Sequence, residues 1–141
     1  MCLNGRLIAA TKLGNVHRGL NVLIFDKETG SSRVNTFDFY SDPDASSKLA
    51  SLLRPVKAEV VVMAVFDDGS ARMSQDLRRQ IQNMGSKNIT SLAFRDSWAF
   101  VGAKPGMGKI ANERINPAAG SSDKYFGWPK EVAISGCIPK F

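Results

Sequence analysis

The sequence predicts a fold in which short antiparallel strands are combined with two helices. The apolar, β-branched segment Leu20–Asp26 is separated from a second strand by Lys27–Gly30, and a four-residue break that ends in glycine is typical of a β-hairpin. Two other segments place apolar residues at helical spacing between capping and stop residues. Because 141 residues with 43% apolar content match one ordinary domain of about 100 to 150 residues, we expect residues 1–141 to form a single domain.

The hairpin is followed by the first predicted helix. Its second strand is expected over Arg33–Tyr40, where aromatic residues alternate onto one face. Asp42 and Pro43 then supply an N-cap and a proline at the first helical position, which starts a helix. Pro55 ends that helix after about Leu53.

The second half of the chain begins with a strand that is apolar throughout. Glu59–Phe66 is nearly all apolar and β-branched, as expected of a central strand covered on both faces. A second helix is predicted between a cap at Ser74 and a stop at Gly85. A strand is then expected over Leu92–Ala103.

The C-terminal part of the sequence contains fewer structural signals. Residues 104–123 contain several Gly, Pro, Ser and Asn residues, so we expect a long surface loop there. A last short strand is predicted over Val132–Ser135.

Arg95 and Asp96 are adjacent charges inside the apolar segment Leu92–Ala103. Burial of Phe94 and Trp98 would each contribute roughly 1.5 to 3 kcal/mol, so we expect the segment to pack. A charge carried into the interior without partners is strongly unfavourable. The two ions therefore either form a structural ion pair at a strand end or line a wet cleft that serves recognition.

Asp67 and Asp68 follow directly on the central strand and project beyond its carboxyl end. If the strand near Arg95 is adjacent, Asp67 and Arg95 would form opposite walls of a polar pocket. A neutral sugar suits that arrangement, because its hydroxyls bond both ions and its apolar face packs on a ring such as Trp98. The sequence therefore predicts carbohydrate binding by Asp67, Arg95, Asp96 and Trp98.

Simpler interpretations of the same residues stay open. Arg95 could do no more than neutralise Asp67 or Asp96. Asp67 and Asp68 could be turn formers whose carboxylates bond to their own backbone. A divalent metal site is disfavoured, since neither a histidine nor a third acid lies near them in the sequence.

Catalysis is disfavoured by the residues that the sequence lacks. His17 is the single histidine, and no serine or cysteine lies in a recognisable nucleophile motif, so a triad would have to be built from His17 alone. We therefore expect a non-enzymatic protein with no catalytic residue, no metal and no cofactor.

The chain is basic and without a long apolar segment. Nineteen Lys and Arg against thirteen Asp and Glu leave a net charge of +6, which favours anionic partners such as acidic glycans, nucleic acid or lipid headgroups. No block of about five or more like charges marks a nucleic-acid arm. No stretch of about 18 apolar residues occurs, so no membrane insertion is expected, and residues 1–20 lack the hydrophobic centre of a signal peptide.

Cys2 and Cys137 lie near opposite ends of the chain and lack the spacing of a zinc site. A disulfide between them would close nearly the whole chain and contribute roughly 4 to 5 kcal/mol from loop entropy. Two unrelated thiols are the alternative. The triplet that begins at Asn88 fits an N-glycosylation acceptor in a surface loop and slightly favours secretion.

Short motifs from Cys2 to Pro139 resemble one family, and their number and order make the resemblance specific. They are Arg18-Gly19-Leu20-Asn21-Val22, Thr29-Gly30, Phe37-Asp38, Asp67-Asp68-Gly69, Met84-Gly85-Ser86, Phe94-Arg95-Asp96-Ser97-Trp98-Ala99-Phe100-Val101-Gly102, Lys124-Tyr125, Gly127-Trp128-Pro129 and Gly136-Cys137-Ile138-Pro139. Together they look like the ILEI/PANDER domain, shared by interleukin-like epithelial-mesenchymal transition inducer and pancreatic-derived factor. That domain also resembles the stem of a protein O-mannose N-acetylglucosaminyltransferase and modules in hyaluronan-processing proteins.

The resemblance implies an α+β fold, a compact β-β-α sandwich of two small antiparallel sheets flanked by short helices, without catalytic activity. In the stem domain an aspartate and an arginine contact the sugar at positions that look like Asp67 and Arg95. Secreted cytokine-like relatives carry additional upstream cysteines that pair with those resembling Cys2 and Cys137. This chain lacks them, so the two cysteines either bond with each other or stay reduced.

We therefore predict a secreted or extracellular, lectin-like domain whose partners are glycans, for example N-acetylglucosamine- or galactose-containing ones. The alternative is a cytokine-like ligand that binds a cell-surface receptor protein over a broad surface. Homo-oligomerisation would raise the avidity of a weak sugar site.

Overall fold

Two antiparallel sheets, one of two strands and one of five, form the β part of the molecule. The computed structural model describes residues 1–57, 59–105, 110–119 and 128–137. The elements in these residues are β1 (Cys2–Leu3), β2 (Arg6–Leu7), a 3₁₀ helix (Thr11–Leu13), β3 (Gly19–Asp26), β4 (Ser32–Phe37), α1 (Ala45–Leu53), β5 (Glu59–Phe66), α2 (Gln75–Asn83), β6 (Ser97–Ala103) and β7 (Ala111–Asn116).

The five-stranded sheet has the order β4-β3-β5-β6-β7, and every neighbouring pair is antiparallel. The most apolar strand, β5, occupies the central position because each of its faces can be covered there. The predicted α+β sandwich of two small antiparallel sheets with short helices is thereby confirmed.

Both helices contribute to the main core, which the sheet closes on one side. Every second residue of β3, β5 and β6 points into this core, as the two-residue period of a strand requires. Its fully buried members include Leu20, Val22, Ile24, Leu49, Leu53, Val61, Met63, Leu77, Ile81, Trp98 and Phe100. Each helix has nine residues, and no helix of the described residues is long and apolar enough to cross a membrane.

The N-terminal hairpin of β1 and β2 lies beside β3 and β5. Its turn residues Asn4 and Gly5 both have positive φ, 50° and 74°, which is the conformation that a two-residue Asn-Gly hairpin turn requires. A shallow, mainly apolar groove of about 320 Å³ separates this segment from the sheet and is bordered by Leu7, Ala64 and Phe66. The Asn-Gly pair is a local sequence signal for this hairpin, and our prediction did not use it.

Most predicted elements are confirmed, with changes at their ends. The β3–β4 hairpin, β5 and α2 lie where they were expected, and Ser74 caps α2 by accepting a hydrogen bond from the Leu77 amide at 3.2 Å. The N-cap position of the first helix is Asp44 and not the predicted Asp42, and the Asp44 side chain makes no capping hydrogen bond. Asp42 instead accepts from Lys48 Nζ at 2.7 Å and from the Asp44 amide.

Two predicted strands are shorter than expected because a carboxylate closes a turn beside each of them. The strand predicted over Leu92–Ala103 begins only at Ser97, since Asp96 accepts the Ala93 amide at 2.9 Å. In the same way β4 ends at Phe37, since Asp38 accepts the Tyr40 and Ser41 amides.

The loop predicted over residues 104–123 contains the strand β7, so that prediction was wrong. β7 is polar and has few apolar residues, because it is an edge strand that pairs only with β6. Residues 106–109 and 120–123 of that loop lie outside the described residues. The strand predicted over Val132–Ser135 is also wrong, since residues 128–137 contain no regular secondary structure.

Close packing at Gly102 of β6 gives a direct test of this core. A Cβ atom at Gly102 would lie 2.2 Å from the Phe100 ring and 2.5 Å from the Met84 carbonyl oxygen, whereas one at Gly136 would meet nothing within 4 Å. We expect Gly102→Ala to lower the free energy of unfolding by about 1 to 3 kcal/mol, as overpacking does, and Gly136→Ala to change it by less than about 0.5 kcal/mol. Urea denaturation measures both, and equal midpoints would contradict this packing.

A candidate recognition surface at one end of the sheet

Charged residues gather at the end of the sheet where β4 and β5 finish and β3 and β6 begin. Antiparallel neighbours run in opposite directions, so these starts and ends lie side by side. The flanking charges are Arg18, Asp38, Asp67, Asp68, Arg95 and Asp96.

Arg18 and Asp38 form an ion pair at this end, in which two guanidinium nitrogens donate to one carboxylate oxygen. Arg18 Nη2 and Nε donate to Asp38 Oδ2 at 2.7 and 3.1 Å, and the guanidinium carbon lies 5.1 Å from the centre of the Tyr40 ring. The hydrogen bond from Arg18 holds the pKa of Asp38 well below its ordinary value, and the Ser41 hydroxyl adds to the effect. The pKa of Arg18 is raised by Asp38 first, and the charge of Asp67 also raises it.

Asp68 is buried and organises the turn after β5. Its carboxylate accepts from the Ser70 amide and hydroxyl at 3.0 and 2.9 Å and from the Ala71 amide at 3.1 Å. It also accepts the Arg95 amide at 3.4 Å, which joins this turn to the segment before β6. Asp68 is therefore a turn-forming residue, which is one of the interpretations that the sequence left open for it.

Asp96 is also buried, and its contacts are with the backbone. The carboxylate accepts the amides of Ala93 and Ala118, each at 2.9 Å. A carboxylate in this position holds two chain segments together and does not face solvent. Asp96 was expected to contact a sugar, but its carboxylate is not exposed to one.

Trp98 is likewise in the core and not on the surface. Only 1% of the residue is exposed, its ring stacks on Phe100 with centres 5.5 Å apart, and its Nε1 donates to Glu113 at 3.0 Å. The ring expected to pack against a sugar is therefore covered by protein. Trp98 lies on the core-facing side of β6, which the sequence pattern alone did not reveal.

Asp67 and Arg95 differ from these buried residues in having free side-chain groups. Both adopt the left-handed conformation, with φ of 69° and 63°, which non-glycine residues rarely do. Neither the Asp67 carboxylate nor the Arg95 guanidinium makes a hydrogen bond within the described residues, and Arg95 Nε is buried without a partner. The Arg95 guanidinium carbon lies 4.1 Å from the Trp128 ring centre and 5.0 Å from that of Phe94.

The structure brings Asp67 and Arg95 to the same end of the sheet, connected through Asp68, but no ion pair joins them. Arg95 makes no ion pair with Asp96 either. The interpretation in which Arg95 neutralises one of these acids is therefore wrong.

Exposed aromatic residues complete this surface, and sequence reasoning missed them. Tyr40, Phe66 and Phe94, together called the aromatic rim here, are 57%, 50% and 54% exposed. We expected Phe94 to be buried, but the turn that Asp96 closes carries it outward. The available signal was the position of each aromatic residue two positions from a turn-forming aspartate, Asp38, Asp68 or Asp96.

Two further residues hold the loop that leads to Arg95. The guanidinium of Arg78 in α2 donates to the Ile89 and Leu92 carbonyl oxygens, and burial lowers its pKa. Glu113 accepts from the Ser86 hydroxyl at 2.8 Å and from the Asn88 amide at 3.0 Å. Their loop contacts depend on residues far apart in the chain, so no local pattern announces them.

The modification candidates are accessible. Asn88 is partly exposed in a turn, and its side-chain amide makes no hydrogen bond to the described residues. Cys2 and Cys137 are both exposed free thiols, so the structure does not contain the disulfide considered from the sequence. Among the described residues no group of three or more His, Cys, Asp or Glu side chains could hold a metal ion.

The fold and the surface define a small α+β protein in which charged residues and the aromatic rim lie at one end of the five-stranded sheet. The chain belongs to the interleukin-like EMT inducer family, whose profile matches residues 18–106. It is 35% identical over 144 residues to human protein FAM3B, 33% identical over 142 residues to human protein FAM3A, and 35% identical over 142 residues to rat protein FAM3C. These alignments cover 99% of this chain and 61%, 61% and 62% of the relatives, so the chain spans about three fifths of their length.

The ion pair of Asp38 with Arg18 predicts a specific dependence of stability on pH. Because the pKa of Asp38 is lower in the folded chain than its unfolded value of about 4, its contribution is complete above that pH and is lost as the pH falls towards the folded pKa. We expect wild type to lose about 0.2 to 1 kcal/mol more than Asp38→Asn between about pH 5 and pH 2, as is usual for surface ion pairs.

Chemical denaturation at a series of pH values measures this difference. Asp44→Asn is the matched control, because Asp44 lies nearby and its carboxylate makes no hydrogen bond within the described residues. Parallel pH profiles for wild type and Asp38→Asn would contradict the assigned role of Asp38.

Proposed function

We propose that this chain is a secreted, cytokine-like ligand that binds a cell-surface receptor protein through the aromatic rim and catalyses no reaction. The family's description as interleukin-like supports the class. The observation that carries the proposal is the position of the exposed apolar side chains. Of the four large hydrophobic residues that are exposed in the described part of the chain, three belong to the rim and the fourth is Leu13.

The rim residues are connected by contacts into one surface. Tyr40 lies against Arg18, and the next residue, Gly19, pairs with Phe66 across β3 and β5. The turn after Phe66 then meets the Arg95 amide, and Arg95 lies over the Phe94 ring. An unbroken series of contacts thus runs from Tyr40 to Phe94.

Such a composition is typical of a protein interface. Aromatic residues and arginine are enriched at interfaces, and a few of them provide most of the binding energy. The two concave regions with volumes of about 320 and 380 Å³ do not include Asp67 or Arg95 in their lining. A broad patch of exposed rings fits a receptor protein better than it fits a ligand that needs a deep pocket.

Removal of single rings tests the receptor proposal. We expect Phe66→Ala and Phe94→Ala each to weaken saturable binding to responsive cells by about tenfold or more, since interface aromatic residues often contribute at least 1.4 kcal/mol. Leu13→Ala is the control, because Leu13 is as exposed as Phe66 and lies outside the series of contacts. Equal effects of all three changes would contradict the rim as the interface.

Carbohydrate binding through Asp67 and Arg95 is the second candidate. It is favoured by the Asp67 carboxylate and by the buried Nε of Arg95, neither of which has a hydrogen-bond partner among the described residues. Phe94 and Trp128, which flank Arg95, are the rings available to a sugar in place of Trp98. The ligands would be glycans with terminal N-acetylglucosamine or galactose.

A glycan array distinguishes the two candidates. If the second is correct, Asp67→Asn and Arg95→Ala each weaken glycan binding by about 1 to 3 kcal/mol, the cost of leaving a polar partner unpaired, whereas Phe66→Ala leaves it unchanged. Asp67→Asn keeps the shape of the side chain and removes only its charge. No glycan signal together with saturable cell binding would rule out the second candidate.

A further inference from the structure

The concave region of about 380 Å³ lies on the helical side of the molecule, between α1 and the start of α2. It is called the interhelical groove here, and its lining consists of Pro43, Ser46, Ser47, Ala50, Ser51, Arg54, Arg72, Ser74 and Asp76. Small-ligand sites occupy roughly 300 to 1,000 Å³, so the groove can hold a sugar unit and is larger than a single ion needs. No residue of the aromatic rim belongs to it.

Arg54 and Arg72 provide the positive charge of the interhelical groove. Both are exposed, and neither guanidinium makes a hydrogen bond or an ion pair within the described residues. Their backbones are nevertheless fixed, because the Arg72 carbonyl accepts the Ser46 hydroxyl at 2.9 Å and the Arg54 carbonyl accepts Lys104 Nζ at 2.7 Å. Two held arginines therefore present unused donors to the same concave surface.

The remaining polar groups of the groove define what it can accept. Ser51 contributes a hydroxyl that makes no hydrogen bond within the described residues. Asp76 opposes an anion, but its carboxylate already accepts Gln80 Nε2 at 3.1 Å. Two Arg against one Asp leave the lining with a net charge of +1, on a chain whose net charge is +6.

We propose that the interhelical groove binds the sulfate groups of a sulfated polysaccharide. Arginine matches the oxygens of such an ester with two parallel hydrogen bonds, and the Ser51 hydroxyl can donate to the same oxygens. No aromatic side chain lines the groove, so the bases of single-stranded nucleic acid would have no ring on which to stack. The choice of an extracellular polymer rests on the proposed secretion, while the groove shares no residue with the proposed receptor surface.

The test measures binding of a fluorescent, highly sulfated heparin-type oligosaccharide to the full chain at several salt concentrations. We expect the double variant Arg54→Ala/Arg72→Ala to bind about tenfold more weakly or worse and to depend less on salt. Asp76→Asn is expected to bind about threefold more tightly, because an opposing charge is removed at short range. Equal urea midpoints for this variant and wild type show that the gain belongs to the folded chain, and no gain in a folded variant would overturn the proposal.

Controls distinguish binding in the interhelical groove from general electrostatic attraction to the basic chain. Arg79→Ala removes an exposed cation of α2 that does not line the groove, and a loss as large as that of the Arg54→Ala/Arg72→Ala variant would overturn the proposal. Binding of the desulfated oligosaccharide equal to that of the sulfated one would do the same, as would tighter binding of a single-stranded oligonucleotide. Receptor binding by Phe94→Ala, measured on cells stripped of sulfated polysaccharide, reports on the aromatic rim alone.

Discussion

Two buried carboxylates organise the end of the sheet on which the recognition surface depends. A carboxylate removed from water is tolerated only where donors replace its lost hydration. Asp68 meets this requirement in the turn after β5 and reaches across to the Arg95 amide, while Asp96 binds amides before β6 and after β7. Each carboxylate therefore joins segments that belong to different strands. Together they hold the ends of β5, β6 and β7 in fixed positions relative to one another.

Arg95 and Asp96 are adjacent in the chain, but their side chains lie in different environments. Asp96 is buried among backbone donors, whereas the left-handed conformation at Arg95 accompanies a guanidinium that lies over two rings. Ring faces attract a cation without taking up its hydrogen-bond donors. Arg95 is thereby held in position and still has donors for a ligand, which an ion pair with Asp67 or Asp96 would have taken.

The two proposed surfaces differ in chemistry and lie on different parts of the fold. The aromatic rim consists of exposed rings beside charged residues of both signs, a combination that suits a folded protein partner. The interhelical groove combines arginine with hydroxyl groups and has no ring, which suits a hydrated, anionic polymer. Because they share no residue, a receptor and a polysaccharide would not compete for the same side chains.

Local patterns in the sequence were sufficient for β3, β5, the β3–β4 hairpin and α2, because strand periodicity, turn residues and the Ser74 cap act within a few residues. The sequence also singled out Asp67 and Arg95 as polar groups beside strand ends. Only the tertiary structure decided that β7 is a strand and that Trp98 is buried against Phe100 and Glu113. These outcomes depend on hydrogen bonds and burial supplied by residues distant in the chain, whose energies no local pattern contains.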